Sequence, residues 1–367
     1  MLLEEILDLS LLEEMVENGY IRRKVHPGDS SWVIYNYAEK AVYERVWNEA
    51  TLQCRGLIVF EDEDEHGDGP VVLARPLKKF FNLSEIGVEN LPTSPCHVTE
   101  KMDGSLGILY RGFDDEWAIA TRGSFTSEQA IMATEILRNK YDGVFFCEDC
   151  TYVFEIIYSS NRIVVDYGDM EDLVLLDIID NATGNSNLDD FSHYCDWPGP
   201  VVERHPYSTV VEVLAAPQTK NAEGFVLHWE DGTRAKAKFD EYVRLHAIVT
   251  NTSSVTVWKA LVAGDPLSGL LEHVPDEFSD WVRSLALELE FGHDQICGYV
   301  LDELEEARLR LDESHGEGNW SRGQFAALIA KNPYRAELFL AMDGKDLSSL
   351  VWKKIKPDRT LPFKQEV

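Results

Sequence analysis

Basic residues are scarce in this chain. Lys and Arg number 34 against 65 Asp and Glu in 367 residues, a formal net charge of −31. That charge opposes non-specific binding to a polyanion and leaves room only for a local basic site. Cysteine is sparse too, with six in the chain. They are too few to staple a protein of this size and are expected as reduced thiols in a cytoplasmic protein. The one Cys-x-x-Cys pair, Cys147 and Cys150, has no second pair at zinc-ribbon spacing and reads as structural. No apolar run approaches the roughly 18 residues of a membrane-spanning helix, so no membrane partner is expected. The opening MLLEEILDLSLLEEM lacks a basic stretch and carries acids inside its apolar pattern, which argues against a secretory signal. The histidines show neither HExxH nor His–Cys zinc spacing and read as structural.

Apolar residues make up 44%, which is ordinary for a folded globular chain. Leu2, Leu3, Ile6, Leu9, Leu12, Met15 and Val16 recur at helical spacing and predict an N-terminal amphipathic helix closed by Gly19. Strands are predicted at 32–37, 55–60, 71–76, 97–101, 105–110, 117–122, 151–158, 172–179, 223–229 and 234–239. A helix is predicted at 125–140, an acidic hairpin tip at 61–70 and an irregular polar segment at 181–221. After residue 240 the pattern becomes helical throughout. Trp258, Trp281, Trp320 and Trp352 read there as helix-packing aromatics, with base stacking as the other reading. The expected architecture is α+β, with an antiparallel-sheet domain over 1–248 and an all-helical domain over 249–367.

Four features carry chemistry. The first is Glu100-Lys101-Met102-Asp103-Gly104-Ser105 at a strand end, where a lysine nucleophile can stand beside a glycine that permits close approach of a nucleotide. The same residues also read as an ordinary Asp-Gly turn. The second is Lys236-Ala237-Lys238, whose period-2 spacing puts both amines on one strand face, suited to a polyphosphate or simply solvated. The third is Glu155 within Val-Phe-Glu-Ile-Ile; a carboxylate in such a strand either points outward or needs a partner. The fourth is Glu223-Gly224-Phe225-Val226, an acid and a glycine ahead of a strand, which is also an ordinary turn.

In this order the four resemble the covalent nucleotidyltransferase superfamily of polynucleotide ligases and capping enzymes. Upstream, Cys54-Arg55-Gly56-Leu57-Ile58-Val59-Phe60 and Arg75-Pro76-Leu77-Lys78-Lys79-Phe80-Phe81-Asn82-Leu83 narrow the resemblance to the phage-type RNA ligase 1 family of ATP-dependent RNA ligases. Thr121-Arg122-Gly123-Ser124, Asn161-Arg162-Ile163-Val164 and Tyr35-Asn36-Tyr37 fit the same family. The matches are collinear from about residue 32 to 246, and the helical tail is similar only in pattern and position.

The resemblance implies an antiparallel-sheet nucleotidyltransferase (adenylyltransferase) domain that joins 5′-phosphate and 3′-hydroxyl RNA ends. The route runs through a lysyl-AMP intermediate and an adenylylated RNA end, in repair of broken tRNA or other structured RNA. ATP and Mg²⁺ (or Mn²⁺) are the implied cofactors, RNA the implied partner and a monomer the implied state. Lys101 matches the nucleophile; an ammonium cannot attack, and neighbouring cations favour its neutral form. Lys236 and Lys238 match the phosphate-contacting pair. Glu155 matches the position that serves the ribose and metal-bound water, and Glu223 the acid that holds the metal hydrate. Tyr35, Arg55, Lys79, Glu100 and Arg122 complete the implied cofactor-binding set. Arg55 suits a phosphate because its planar fork grips two oxygens. Arg122 departs from the family's frequent lysine, exchanging a point charge for a fork. Asp276 and Glu277 sit in a similar Pro-Asp-Glu-Phe context and are left unassigned.

Two other readings stay open. One is a DNA ligase or capping-type enzyme, which would usually append a strand-rich OB-fold rather than helices. The other is a catalytically silent RNA-binding protein of the same fold. An acidic surface with few lysines also suits a high-salt cytoplasm. Activity is then expected to rise with KCl concentration, and a ligation rate that peaks near zero salt would count against that idea.

Overall fold

The computed structural model describes residues 1–61, 69–186, 197–249, 252–265, 267, 271 and 278–360. Most of the predicted acidic tip, part of the segment 181–221, and Asp276 and Glu277 lie outside the described residues. Two compact units are present, one of Met1–Thr250 with Pro275–Glu277 and one of Asn251–Val274 with Phe278–Val367. No helix among the described residues is long and apolar enough to cross a membrane.

The first unit is α+β. Its strands are β1 (Ile21–Val25), β2 (Trp32–Tyr37), β3 (Arg55–Phe60), β4 (Val71–Ala74), β5 (Phe81–Asn82), β6 (Cys96–Glu100), β7 (Ser105–Arg111), β8 (Trp117–Thr121), β9 (Cys150–Ile157), β10 (Asp172–Asp180), β11 (Arg204–His205), β12 (Gly224–Trp229) and β13 (Arg234–Lys238). Its helices are α1 (Leu9–Glu17), α2 (Glu39–Glu44), α3 (Glu49–Gln53), α4 (Leu83–Ile86), α5 (Glu128–Lys140), α6 (Val210–Ala215) and α7 (Asp240–Val249). Three sheets form, in the orders β1-β2-β3-β4, β10-β9-β7-β8 and β11-β6-β12-β13-β5. All pairings are antiparallel except β13 with β5.

The middle sheet is covered on both faces, which is why Cys-Thr-Tyr-Val-Phe-Glu-Ile-Ile of β9 is buried along its whole length. On one face Ala133, Ile136 and Leu137 of α5 pack on Tyr152, Phe154 and Ile156. On the other, Ile108, Tyr110 and Ala120 meet Ile34, Ile58 and Ala74 of the first sheet. The third sheet carries a core of its own, where Phe225, Leu227, Trp229 and Ala235 pack with Val210, Val213 and Tyr242.

The N-terminal stretch departs from the expected single helix. Asp8 accepts the amides of Ser10 and Leu11 and caps α1, so the helix starts at Leu9 and residues 3–5 form a separate 3-10 turn. The short strands β1, β5 and β11 and the short helices α2, α3 and α6 were not apparent from the sequence pattern.

The second unit contains α8 (Ser254–Ala263), α9 (Ser279–His315), α10 (Arg322–Leu328), α11 (Arg335–Met342) and α12 (Ser348–Lys354), with no strand among its described residues. Val300, Leu304, Ala307 and Leu311 lie four, three and four apart on α9. They pack on Phe325, Ile329, Leu338 and Val351. Trp320 packs against this cluster with its indole N–H bonded to Asp312 Oδ1 at 2.8 Å, and the Trp258 indole N–H donates to Trp352 O at 2.9 Å.

A buried ion pair ties the third sheet to the second, with Arg234 Nη2 at 2.7 Å from Asp177 Oδ2 and both side chains under 10% exposed. Truncating one partner strands the other charge inside the protein. Asp177→Ala is therefore expected to lose about 3–5 kcal/mol of stability in urea unfolding; a loss near zero would show that the pair is solvated.

Candidate active site

The lysine of the Lys-x-Asp-Gly motif is placed by its own backbone. Beyond the end of β6, the Lys101 N–H donates to Gly224 O at 2.8 Å, which sets Lys101 beside Glu223. Gly224 has φ +144, and a Cβ built there would stand 2.0 Å from Ala237 O. Only glycine lets β12 approach β13 this closely, and that approach puts Glu223 next to Lys238. Lys101 Nζ and Lys238 Nζ lie 2.8 Å and 3.2 Å from the same Glu223 oxygen, whose side chain is 3% exposed.

Glu155 faces this group from β9. It is buried, and its Oε1 accepts the N–H of Gly104 at 2.8 Å. A Cβ on Gly104 would stand 2.7 Å from Ile156 O, so the motif glycine is required by the strand packed against it. Burial pushes the Glu155 carboxyl up to about 8, with Lys101 pulling it down and Glu223 pushing it further up.

Asp103 is the residue the sequence reading undervalued. Its side chain accepts the amides of Val164 and Val165 at 2.8 Å each and the hydroxyl of Tyr242 at 2.7 Å, while its own N–H donates to Tyr167 Oη at 2.8 Å. It braces the loop after β9 and the helix α7 around the lysine. Its burial amid the apolar residues that follow Arg162 and Ile163 left no sequence signal beyond a turn.

The remaining cations lie over aromatic rings. Arg55 and Lys236 stand 5.5 Å and 5.6 Å from the centroid of Phe80. Lys79 stands 5.2–5.6 Å from Tyr37, Trp47 and Phe81. Arg122 donates to Tyr37 Oη at 2.9 Å and lies 5.2 Å from its ring. Lys236 and Lys238 share a strand face, opposite Val226 and Gly224.

Two implied site residues are not brought here. Glu100 pairs with Phe225, so strand alternation turns it to the Ala235–Ala237 face, away from Lys236 and Lys238. Its neighbours are Glu203 and His205, and burial with the nearby Glu203 raises its carboxyl. Tyr35 packs among Leu3, Leu12 and Leu57 with its hydroxyl on Glu61. The β2–β3 register shifts between Tyr35 and Asn36, where Gly56 is the extra residue of β3, and Tyr37 is the tyrosine that meets Lys79 and Arg122. Cys150 is buried with its thiol pushed up to about 12, as fits a structural cysteine.

Residues 53–243, just over half of the chain, match the family described as RNA ligase. The chain belongs to this phage-type RNA ligase family. A Thermovibrio ammonificans protein named as an inferred RNA ligase is 28% identical over 164 residues, 42% of this chain and 43% of the relative. The chain thus spans less than half the length of that relative. An archaeal ATP-dependent RNA ligase is 16% identical, with 76% of this chain and 72% of that one covered and a TM-score of 0.43. An inferred ATP-dependent DNA ligase of Aquifex aeolicus is 14% identical, with 92% and 100% covered and a TM-score of 0.42. The matched RNA ligase region contains Lys101, Glu155, Glu223, Lys236 and Lys238.

Glu155 also makes stability depend on pH. Between the ordinary value of 4.5 and about 8 the folded chain keeps a proton on Glu155 that the unfolded chain has released. Stability therefore falls as pH rises through that window. Glu155→Gln carries no such proton and is expected to gain melting temperature relative to the unaltered chain between about pH 5 and about pH 8. Melting curves that stay parallel across that range would show a carboxylate already ionised.

Proposed function

We propose that this chain is an ATP-dependent RNA ligase that seals breaks in tRNA or other structured RNA. The observation that carries this reading is the close group of Lys101, Lys238 and the buried Glu223 facing Glu155. In the first step Lys101 Nζ attacks the α-phosphorus of ATP; a P–N bond forms, the P–O bond to pyrophosphate breaks, and pyrophosphate leaves. The amine sheds its proton, for which Glu223 at 2.8 Å is a ready acceptor. The adenylate then passes to an RNA 5′-phosphate and frees the lysine. Finally a 3′-hydroxyl attacks that activated phosphorus, the RNA bond closes and AMP leaves.

All three are in-line displacements at phosphorus, so one set of cations serves them. Lys236, Lys238 and Arg55 offset charge on the phosphate oxygens, and Lys79 and Arg122 extend the cationic lining. Glu155 and Glu223 fit a hydrated Mg²⁺, which is commonly bound through one or two carboxylates and substrate phosphates. Among the described residues no group of three or more His, Cys, Asp or Glu offers an all-protein cage. When bound, the ion would supply positive charge at the reacting phosphate.

Incubation with ATP and Mg²⁺ is expected to add one AMP to Lys101, read as a mass increase on its peptide. Lys101→Ala should abolish it and Lys238→Ala should weaken it. AMP on the Lys101→Ala chain would move the nucleophile elsewhere. Nicked tRNA is expected to be sealed in preference to single-stranded RNA and nicked DNA, and preference for nicked DNA would reject the RNA reading. A chain that neither takes up AMP nor seals any of them would be a silent RNA-binding relative.

A further inference from the structure

Trp47 lies outside every motif the sequence singled out, yet it is built into a ring cage. It sits between α2 and α3 on a short loop fixed at both ends. Arg45 ends α2 in the left-handed region at φ 55, and Asn48 caps α3 with a reciprocal bond to Thr51. Its indole meets Tyr37 edge-on at 5.3 Å and 82° on one side, and Phe81 at 5.3 Å and 74° on the other. The Lys79 ammonium lies within cation–π reach of all three, at 5.6 Å from Tyr37, 5.6 Å from Trp47 and 5.2 Å from Phe81. Lys79 is only 8% exposed, so the rings meet a largely desolvated charge, the setting in which this attraction is strongest.

We infer that Trp47, flanked by Tyr37 and Phe81, is a positioning residue that holds the Lys79 ammonium in place for the polyphosphate of ATP. Ring faces attract the charge as a whole and occupy no particular N–H. They can therefore hold an ammonium without competing for its N–H donors. The inference rests on the proposed use of ATP at this site.

The test measures ATP binding by calorimetry and the rate of AMP transfer to Lys101. Trp47→Leu is expected to weaken ATP binding about tenfold and to raise KM far more than it lowers kcat. Trp47→Phe, which keeps a ring, should recover most of the loss. In a Lys79→Ala background, Trp47→Leu should add little, because the two act as one unit. Fluorinated tryptophans at position 47 keep the shape but weaken the ring face, and ATP affinity should fall stepwise with each added fluorine. Unchanged affinity through the fluorine series, or full additivity with Lys79→Ala, would overturn the inference even if Trp47→Leu folds poorly. Failure of the unaltered chain to bind ATP would instead overturn the proposed function, and this inference with it.

Discussion

A single buried carboxylate organises the centre of this protein. Glu223 offers one oxygen to two ammonium groups, Lys101 and Lys238, from segments distant in sequence that lie on either side of β12 in the third sheet. Burial makes such a contact costly unless it is paired, and here one acid answers two bases. The arrangement qualifies the idea that crowded cations alone ready the lysine. A carboxylate at 2.8 Å favours the ammonium, so freeing the amine requires Glu223 to take its proton or turn toward another cation. The group that restrains the Lys101 ammonium is thus also one able to take its proton.

The backbone around this contact is tightly constrained. Gly104 and Gly224 stand where a Cβ would run into the carbonyls of Ile156 and Ala237, so the two strand approaches that form the site depend on their lack of a side chain. Asp103 accepts two loop amides and a tyrosine hydroxyl. The motif around Lys101 therefore combines one reactive side chain with two residues that act on the architecture, Asp103 as a brace and Gly104 as a close contact.

Electrostatics of the chain and of the site have opposite signs. A chain of net charge −31 gathers Arg55, Lys79, Lys101, Lys236 and Lys238 among its candidate site residues. Aromatic faces from Phe80 and from the Tyr37–Trp47–Phe81 set lie against several of these cations. Rings stabilise a desolvated cation without cancelling its charge.

Much of this was legible in the residues themselves. Alternation fixed most strands, and the spacing of Lys236 and Lys238 put them on one face whatever their neighbours. The apolar run around Glu155 signalled a carboxylate in need of a partner. Other facts depended on pairing between distant segments. Period-2 patterning gives two faces but does not say which one meets the site. Glu100 turned away for that reason, and Tyr37 rather than Tyr35 stands beside Lys79. The roles of Asp103 and Trp47 were likewise decided by tertiary structure, because their partners come from remote parts of the chain that local sequence cannot place. Sequence periodicity specified the elements and the inventory of reactive groups; strand register and packing determined which of those groups meet.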